Sequence, residues 1–348
     1  MNDRCLFFVV GLTLLATAQG QVAPHSAWTK GRAPRTADGQ PDLQGVWANN
    51  TATPLERPKE LAGRTKLSDD EVAAMKKKAA ELYNGKGDAA FGDTIFQTVW
   101  AATQNSASGP HQKAANEFDT GTGDYSSEWI VAREWDNRTA LITDPPDGKM
   151  PALTPDGQAR RTATFAALNR RPTGPQDRGL QERCITFGSP QLVAGYQSYT
   201  QIQQTSGAVI IMTEMIHDAR IIPLERPLDR RPHLSASMQQ WLGDSVGHWE
   251  GDTLVVDTTN YKPRSFMSIS SEKLHVIERF SRTGPESLQY EIMIDDPGTW
   301  TKPWSLMLPL KQSTNPIFEY ACHEGNVGLA GILAGARAEE QAAAAAGK

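Results

Sequence analysis

From Ile185 onward the chain alternates short apolar runs with tight-turn residues, and that pattern leaves few folds open. Tyr199–Gln204, Ala208–Ile216, Arg220–Leu224 and Thr253–Thr259 carry β-branched and aromatic residues at strand lengths. Glu250-Gly251-Asp252 separates Gly247-His248-Trp249 from Thr253 as a hairpin turn would, and Thr283-Gly284-Pro285-Glu286 separates Leu274–Arg282 from Ser287–Asp295. Trp300–Leu310 and Ile317–Glu324 read as the last two strands. Sequential strands joined by short turns pair antiparallel. The simplest way for such a meander to protect its edges is closure. The expected fold is therefore mainly β with flanking helices: an antiparallel meander closing into a calycin-like barrel, with an N-terminal arm and helices packed on it.

The first half reads differently. Residues 21–66 are rich in Pro, Gly and polar side chains, and Leu43–Trp47 is one of their few extended pieces. Ser68-Asp69-Asp70-Glu71 is a capping box, and Val72, Met75, Ala79 and Leu82 follow at helical spacing up to Gly85. Residues 84–127 read as long loops, and Glu128–Trp135 and Thr139–Thr143 as a hairpin. Thr154-Pro155 opens a helix to about Leu168, Met238–Leu242 looks helical, and a final helix begins near Val327. The expected division is a signal peptide over 1–20, an arm with helices and a hairpin over 21–172, and the barrel with its C-terminal helix over 173–341.

Arg4, the apolar run Cys5–Leu15 and Ala16-Thr17-Ala18 have the parts of a secretory signal peptide, and the run is shorter than the ~20 residues that span a bilayer. A periplasmic or secreted protein with no membrane span is expected. Removal of Cys5 leaves Cys184 and Cys322, which in an oxidising compartment most simply form a disulfide. A catalytic Cys322 is the rival, but on a strand the adjacent His323 would point to the opposite face. The 40 acidic residues outnumber the 35 basic ones, giving a net charge of −5, which excludes a basic nucleic-acid binder.

Two clusters carry possible chemistry. On an Ile317–Glu324 strand, Glu319 and His323 would share one face, a carboxylate and an imidazole suited to acid/base work. Glu214-Met215-Ile216-His217-Asp218-Ala219-Arg220 closes an apolar strand with ionisable groups that must be paired or lie at a rim. The expected enzyme uses His217 and His323 as proton carriers, Asp218 and Glu319 to orient them, and Arg220 to hold an anionic group. Glu214, Trp249, Trp300 and Tyr320 are the expected substrate lining. The bland alternative is an Asp218–Arg220 ion pair that closes a hairpin.

No cofactor is expected. A divalent metal on His217 and His323, helped by Asp218, Glu319, Glu324 or His233, is the weaker reading, because no spacing matches a metal signature. Gly243-Asp244-Ser245-Val246-Gly247 has the text of a nucleophile elbow, but a hairpin follows it where a helix should. The function these residues point to is an exported enzyme acting on a small apolar or aromatic molecule by lyase, isomerase or hydrolase chemistry. The alternatives are a non-catalytic extracytoplasmic small-molecule binding protein and an envelope protein with a protein partner. The oligomeric state is open.

Pro41-Asp42-Leu43-Gln44-Gly45-Val46-Trp47, the run from Glu214 to Leu224, Trp249-Glu250-Gly251-Asp252-Thr253-Leu254 and Tyr320-Ala321-Cys322-His323-Glu324-Gly325-Asn326 resemble a family of secreted bacterial proteins of unknown function. The resemblance spans most of the chain after the export signal. It implies that arm and β body form one unit, and it brings no activity and no assigned site residue. The Arg226–Arg230 link before Pro232-His233 is longer than that family's pattern.

Overall fold

The computed structural model describes residues 33–82, 94–104, 133–192, 194–225 and 232–346. The expected signal peptide, the start of the arm and most of the expected Glu128–Trp135 strand lie outside the described residues. Among the described residues, ten strands form one antiparallel sheet: β1 (Gly45–Ala48), β2 (Ile142–Asp144), β3 (Tyr199–Gln204), β4 (Ala208–Thr213), β5 (Ala219–Pro223), β6 (Asp244–Glu250), β7 (Thr253–Thr259), β8 (His275–Gly284), β9 (Ser287–Asp295) and β10 (Trp304–Ser313). Their order is β5-β4-β3-β1-β10-β9-β8-β7-β6, with β2 paired to β10.

Period-2 side-chain alternation builds the core. Leu254 and Val256 of β7, Val276 and Phe280 of β8, Tyr290, Ile292 and Ile294 of β9, and Trp304, Leu306, Leu308 and Leu310 of β10 are all buried. The sheet curls until its two edges meet, but among the described residues no ladder joins them. Among the described residues their backbones pair at one parallel bridge, Leu224 to Gly247, with the Glu225 N–H donating to the Gly247 carbonyl at 2.7 Å. Gly247 allows this approach: a Cβ there would lie 3.0 Å from both Ile222 Cγ2 and Leu224 Cδ2. Closure into a barrel is thus not reached, and a seam runs between β5 and β6.

The helices are α1 (Asp69–Leu82), α2 (Thr94–Thr103), α3 (Pro155–Asn169) and α4 (Val327–Ala346). The capping box of α1 is formed in full: the Glu71 N–H donates to Ser68 Oγ at 3.2 Å, and the Ser68 N–H to Glu71 Oε2 at 2.8 Å. Thr154 caps α3 by accepting from the Gly157 N–H at 3.0 Å. No helix among the described residues is long and apolar enough to cross a membrane.

Four expectations are corrected. The arm does not merely lie on the body, because β1 is inserted between β3 and β10. The expected loop over 84–127 contains α2, whose Ile95, Phe96, Val99 and Trp100 pack on Val72 and Met75 of α1 in a second, smaller core. Met238–Leu242 is irregular and not helical. Residues 317–324 form coil and turn instead of a strand, because β10 is the last strand to find a partner before α4.

Candidate functional site

Among the described residues, the interior of the curled sheet holds one charged pair, Arg220 and Glu278. Inward positions of a strand alternate, so Arg220 on β5 shares the inner face with Ile222, and Glu278 on β8 lies between Val276 and Phe280. Their side chains are 9% and 0% exposed and form a bidentate pair: Nη1 donates to Oε2 at 2.5 Å and Nη2 to Oε1 at 2.7 Å. The Tyr290 hydroxyl also donates to Glu278 Oε1, and the Tyr290 ring stacks on Phe280 at 4.3 Å. Burial and the Glu278 charge push the Tyr290 hydroxyl well above its ordinary range, and burial does the same to Tyr261. Both phenols therefore stay protonated.

Arg220 and Tyr290 border a small inner chamber of about 40 Å³, enough for only a few water-sized groups. Ser189, Gln191, Thr213 and Asp218 give it a polar side, and Ile211, Phe280 and Leu308 an apolar one. Outside it lies an open groove of about 590 Å³, bounded by Ile185, Ile221, Trp241, Leu242, Asp244 and Lys262. Chamber and groove share three lining residues, Asp218, Arg220 and Leu242, and the boundary these form between the two spaces is termed the neck. The groove takes residues from both edge strands and therefore occupies the unpaired seam of the sheet.

Asp218 is set at this neck by a tight β4–β5 turn. Met215–His217 make a single 3-10 turn in which Ile216 and His217 have φ of 60° and 41°. Such values are costly for a β-branched residue, of order 1–3 kcal/mol, and the hairpin bond from the Thr213 N–H to the Asp218 carbonyl at 2.9 Å helps to hold them. Asp218 Oδ2 accepts from the Thr186 hydroxyl at 2.7 Å and the Phe187 N–H at 3.0 Å. Burial raises its carboxyl above the usual range, and those two donors oppose the shift only in part.

The remaining expected site residues are scattered around this neck. Arg220 pairs with Glu278, not with Asp218, so the expected hairpin ion pair is replaced by a link across the interior. His217 is exposed on its turn, and Glu319 and His323 are exposed on the coil and turn before α4. Without a strand there, period-2 geometry no longer aligns Glu319 with His323. That segment is nevertheless pinned beside the Asp218 turn. The Phe318 N–H donates to Glu214 Oε2 at 3.0 Å, and Cys322 is disulfide-bonded to Cys184, two residues before Thr186. Glu214 is buried, and that burial raises its carboxyl.

Trp300 belongs to the core, 5.6 Å from the Trp304 ring and 6.2 Å from Phe266, which corrects its assignment to the lining. Trp249 is half-buried against the same core, and Tyr320 is half-buried in the coil. Ser245 lies inside β6 with its hydroxyl 2.9 Å from Thr258, so the elbow-like text has neither the turn nor a histidine base at the hydroxyl.

On the outer face of the sheet, His233 stands between Asp244 (3.0 Å) and Asp257 (3.2 Å), and His275 reaches the same Asp257 oxygen at 2.8 Å. Its hydrogen bond with Asp257 raises the His275 imidazole above its ordinary range. Among the described residues, no group of three or more His, Cys, Asp or Glu is placed to hold a metal ion. Glu278 and Tyr290 were not legible as site residues. Glu278 sits in an ordinary polar-apolar alternation, and only the curl of the sheet turns it toward Arg220.

Comparisons with protein-family models, characterised proteins and solved structures find no match to this chain.

Proposed function

We propose that the protein is an exported small-molecule binding protein, with the ligand's apolar body in the seam groove and its polar end at the Asp218 neck. The observation that carries this reading is the shared boundary: an open groove, in which Ile185, Ile221, Trp241 and Leu242 stand among polar side chains, lies beside a largely apolar chamber, and Asp218, Arg220 and Leu242 line both. The curled sheet is read as an incompletely closed barrel of the calycin type, with the gap between β5 and β6 as its entrance. Export is supported by the Cys184–Cys322 disulfide, since such bonds persist in oxidising compartments. Arg220 cannot readily hold an anionic group, because its fork is already taken by Glu278.

Acid/base catalysis is the second reading, and a specific feature favours it. A carboxyl that burial raises above its ordinary range, at the neck of a groove, is a candidate proton carrier. In that reading Asp218 is the proton carrier, and His217, His323 and Glu319 would act from the rim.

Titration with the neutral fluorophore N-phenyl-1-naphthylamine tests the binding reading. Saturable enhancement with one site per chain is expected, weakened about tenfold or more by Trp241→Ala or Ile221→Asp, which remove apolar groove wall. Ile221 is 71% exposed, so its replacement leaves the core intact. No saturable signal, or a signal that both variants leave unchanged, would refute the groove as a binding site.

A further inference from the structure

The polar groups at the neck are unevenly satisfied. Arg220 is closed on Glu278, and Glu278 also accepts from Tyr290. Asp218 directs Oδ2 at Thr186 and Phe187, but Oδ1 accepts from no group among the described residues. An open carboxylate oxygen at the end of a groove walled by Ile185, Ile221, Trp241 and Leu242 calls for a donor on the ligand.

The surrounding charges narrow the choice. Lys262 Nζ lies 4.9 Å from the Trp241 ring centre and also lines the groove, so a cationic ligand stacked on that ring would meet a like charge. An anionic end at the neck would meet the Asp218 carboxyl, with Arg220 already neutralised by Glu278. The chamber of about 40 Å³ beyond the neck is too small for a ring, so an aromatic body has to stay in the groove.

We propose that the ligand is a neutral, hydroxyl-bearing aromatic or apolar molecule, oriented by donation of its O–H to Asp218 Oδ1. This assignment of ligand class rests on the groove being a binding site. It also gives Asp218 a defined role, in which the carboxyl selects a donor over an acceptor at the same position. A site built around such a hydrogen bond discriminates against an analogue without the donor by about tenfold or more.

Calorimetric titration at pH 7.5 with 2-naphthol, 2-methoxynaphthalene and 2-naphthoate tests this on the intact protein. The expected result is that 2-naphthol binds about tenfold or more tighter than either analogue. In Asp218→Asn, Thr186 and Phe187 keep the side-chain oxygen, so the amide NH₂ takes the place of Oδ1 and the 2-naphthol preference should fall toward parity. The wild-type ranking decides the question even if that variant does not fold. Methoxynaphthalene binding as tightly as naphthol overturns the proposal, as does an unchanged preference in folded Asp218→Asn. Naphthoate binding as tightly as naphthol, and weakened by Lys262→Gln, would place an anion at Lys262 and also overturn it. If none of the three binds while N-phenyl-1-naphthylamine does, the ligand class is wrong and the groove stands. If none of the four binds, the groove reading falls as well.

Discussion

At the residue scale, the most consequential group is Glu278. It is fully buried and takes two guanidinium bonds and one phenol bond, so its removal leaves Arg220 charged and without a partner in the interior. Glu278→Ala is expected to cost about 3–5 kcal/mol, measured as a lowered denaturation midpoint in urea. The double replacement Arg220→Met with Glu278→Leu should recover most of that loss, because no unpaired charge remains. A cost for Glu278→Ala below about 1 kcal/mol would mean that the pair is solvated.

The outer-face pair His275 and Asp257 makes a pH prediction of definite sign. Folding raises the His275 imidazole, so its contribution is complete below the unfolded value of about 6.5 and is lost as pH rises through the higher folded value. For Asp257, burial pushes the carboxyl up, but His275 and His233 outweigh it and the net shift is downward. Its contribution is present above the unfolded value of about 3.9 and lost as pH falls through the folded one. The pair therefore stabilises most between roughly pH 4 and 6.5. His275→Gln should flatten the stability profile on the alkaline side of that window and leave stability near pH 9 almost unchanged. Both groups are more than a third exposed, so the effect is small.

At the element scale, strands and helices with strong local signals were legible and those defined by partners were not. The α1 capping box and the Thr154 cap of α3 form as the text implies, because their bonds close within four residues. β7 and β9 fall where alternation and turns place them. Residues 317–324 have strand-like alternation but no free sheet edge beside them, and without a partner their backbone takes coil and turn. α2 is the reverse case. Its Ile95, Phe96, Val99 and Trp100 have helical spacing, but a Gly- and Ser-rich neighbourhood hid them.

Docking of α3 makes a prediction at this scale. A Cβ on Gly157 would lie 2.4 Å from the Thr299 carbonyl oxygen, so the helix start sits directly on the loop before β10. Gly157→Ala is a better helix former, yet it should destabilise by about 1–3 kcal/mol because backbone must move to admit the methyl. Stability equal to or above wild type would show that α3 can shift without loss.

At the scale of the whole molecule, one covalent link ties the region before β3 to the segment before α4. The Cys184–Cys322 disulfide spans 138 residues, with a Cα–Cα distance of 5.7 Å. On the chain-entropy model a loop of that length is worth about 5 kcal/mol, so Cys184→Ser with Cys322→Ser should lower the urea midpoint substantially. Thiol labelling of the denatured, unreduced wild type should find neither cysteine reactive. The same link holds the His323 segment beside the Asp218 turn, and the double variant is expected to loosen the groove before the sheet melts.

The sequence by itself determined the antiparallel β character, the helix caps and the cysteine pairing. Each is written in short-range periodicity, in turn chemistry or in the count of cysteines. The tertiary structure alone decided that β1 enters the sheet, that the edges stop short of closure, and that Arg220 pairs with Glu278, 58 residues away. Strand order and sheet curl are set by how side chains from distant segments fill one interior. Local alternation states that a residue faces inward and carries no information about which residue it meets there.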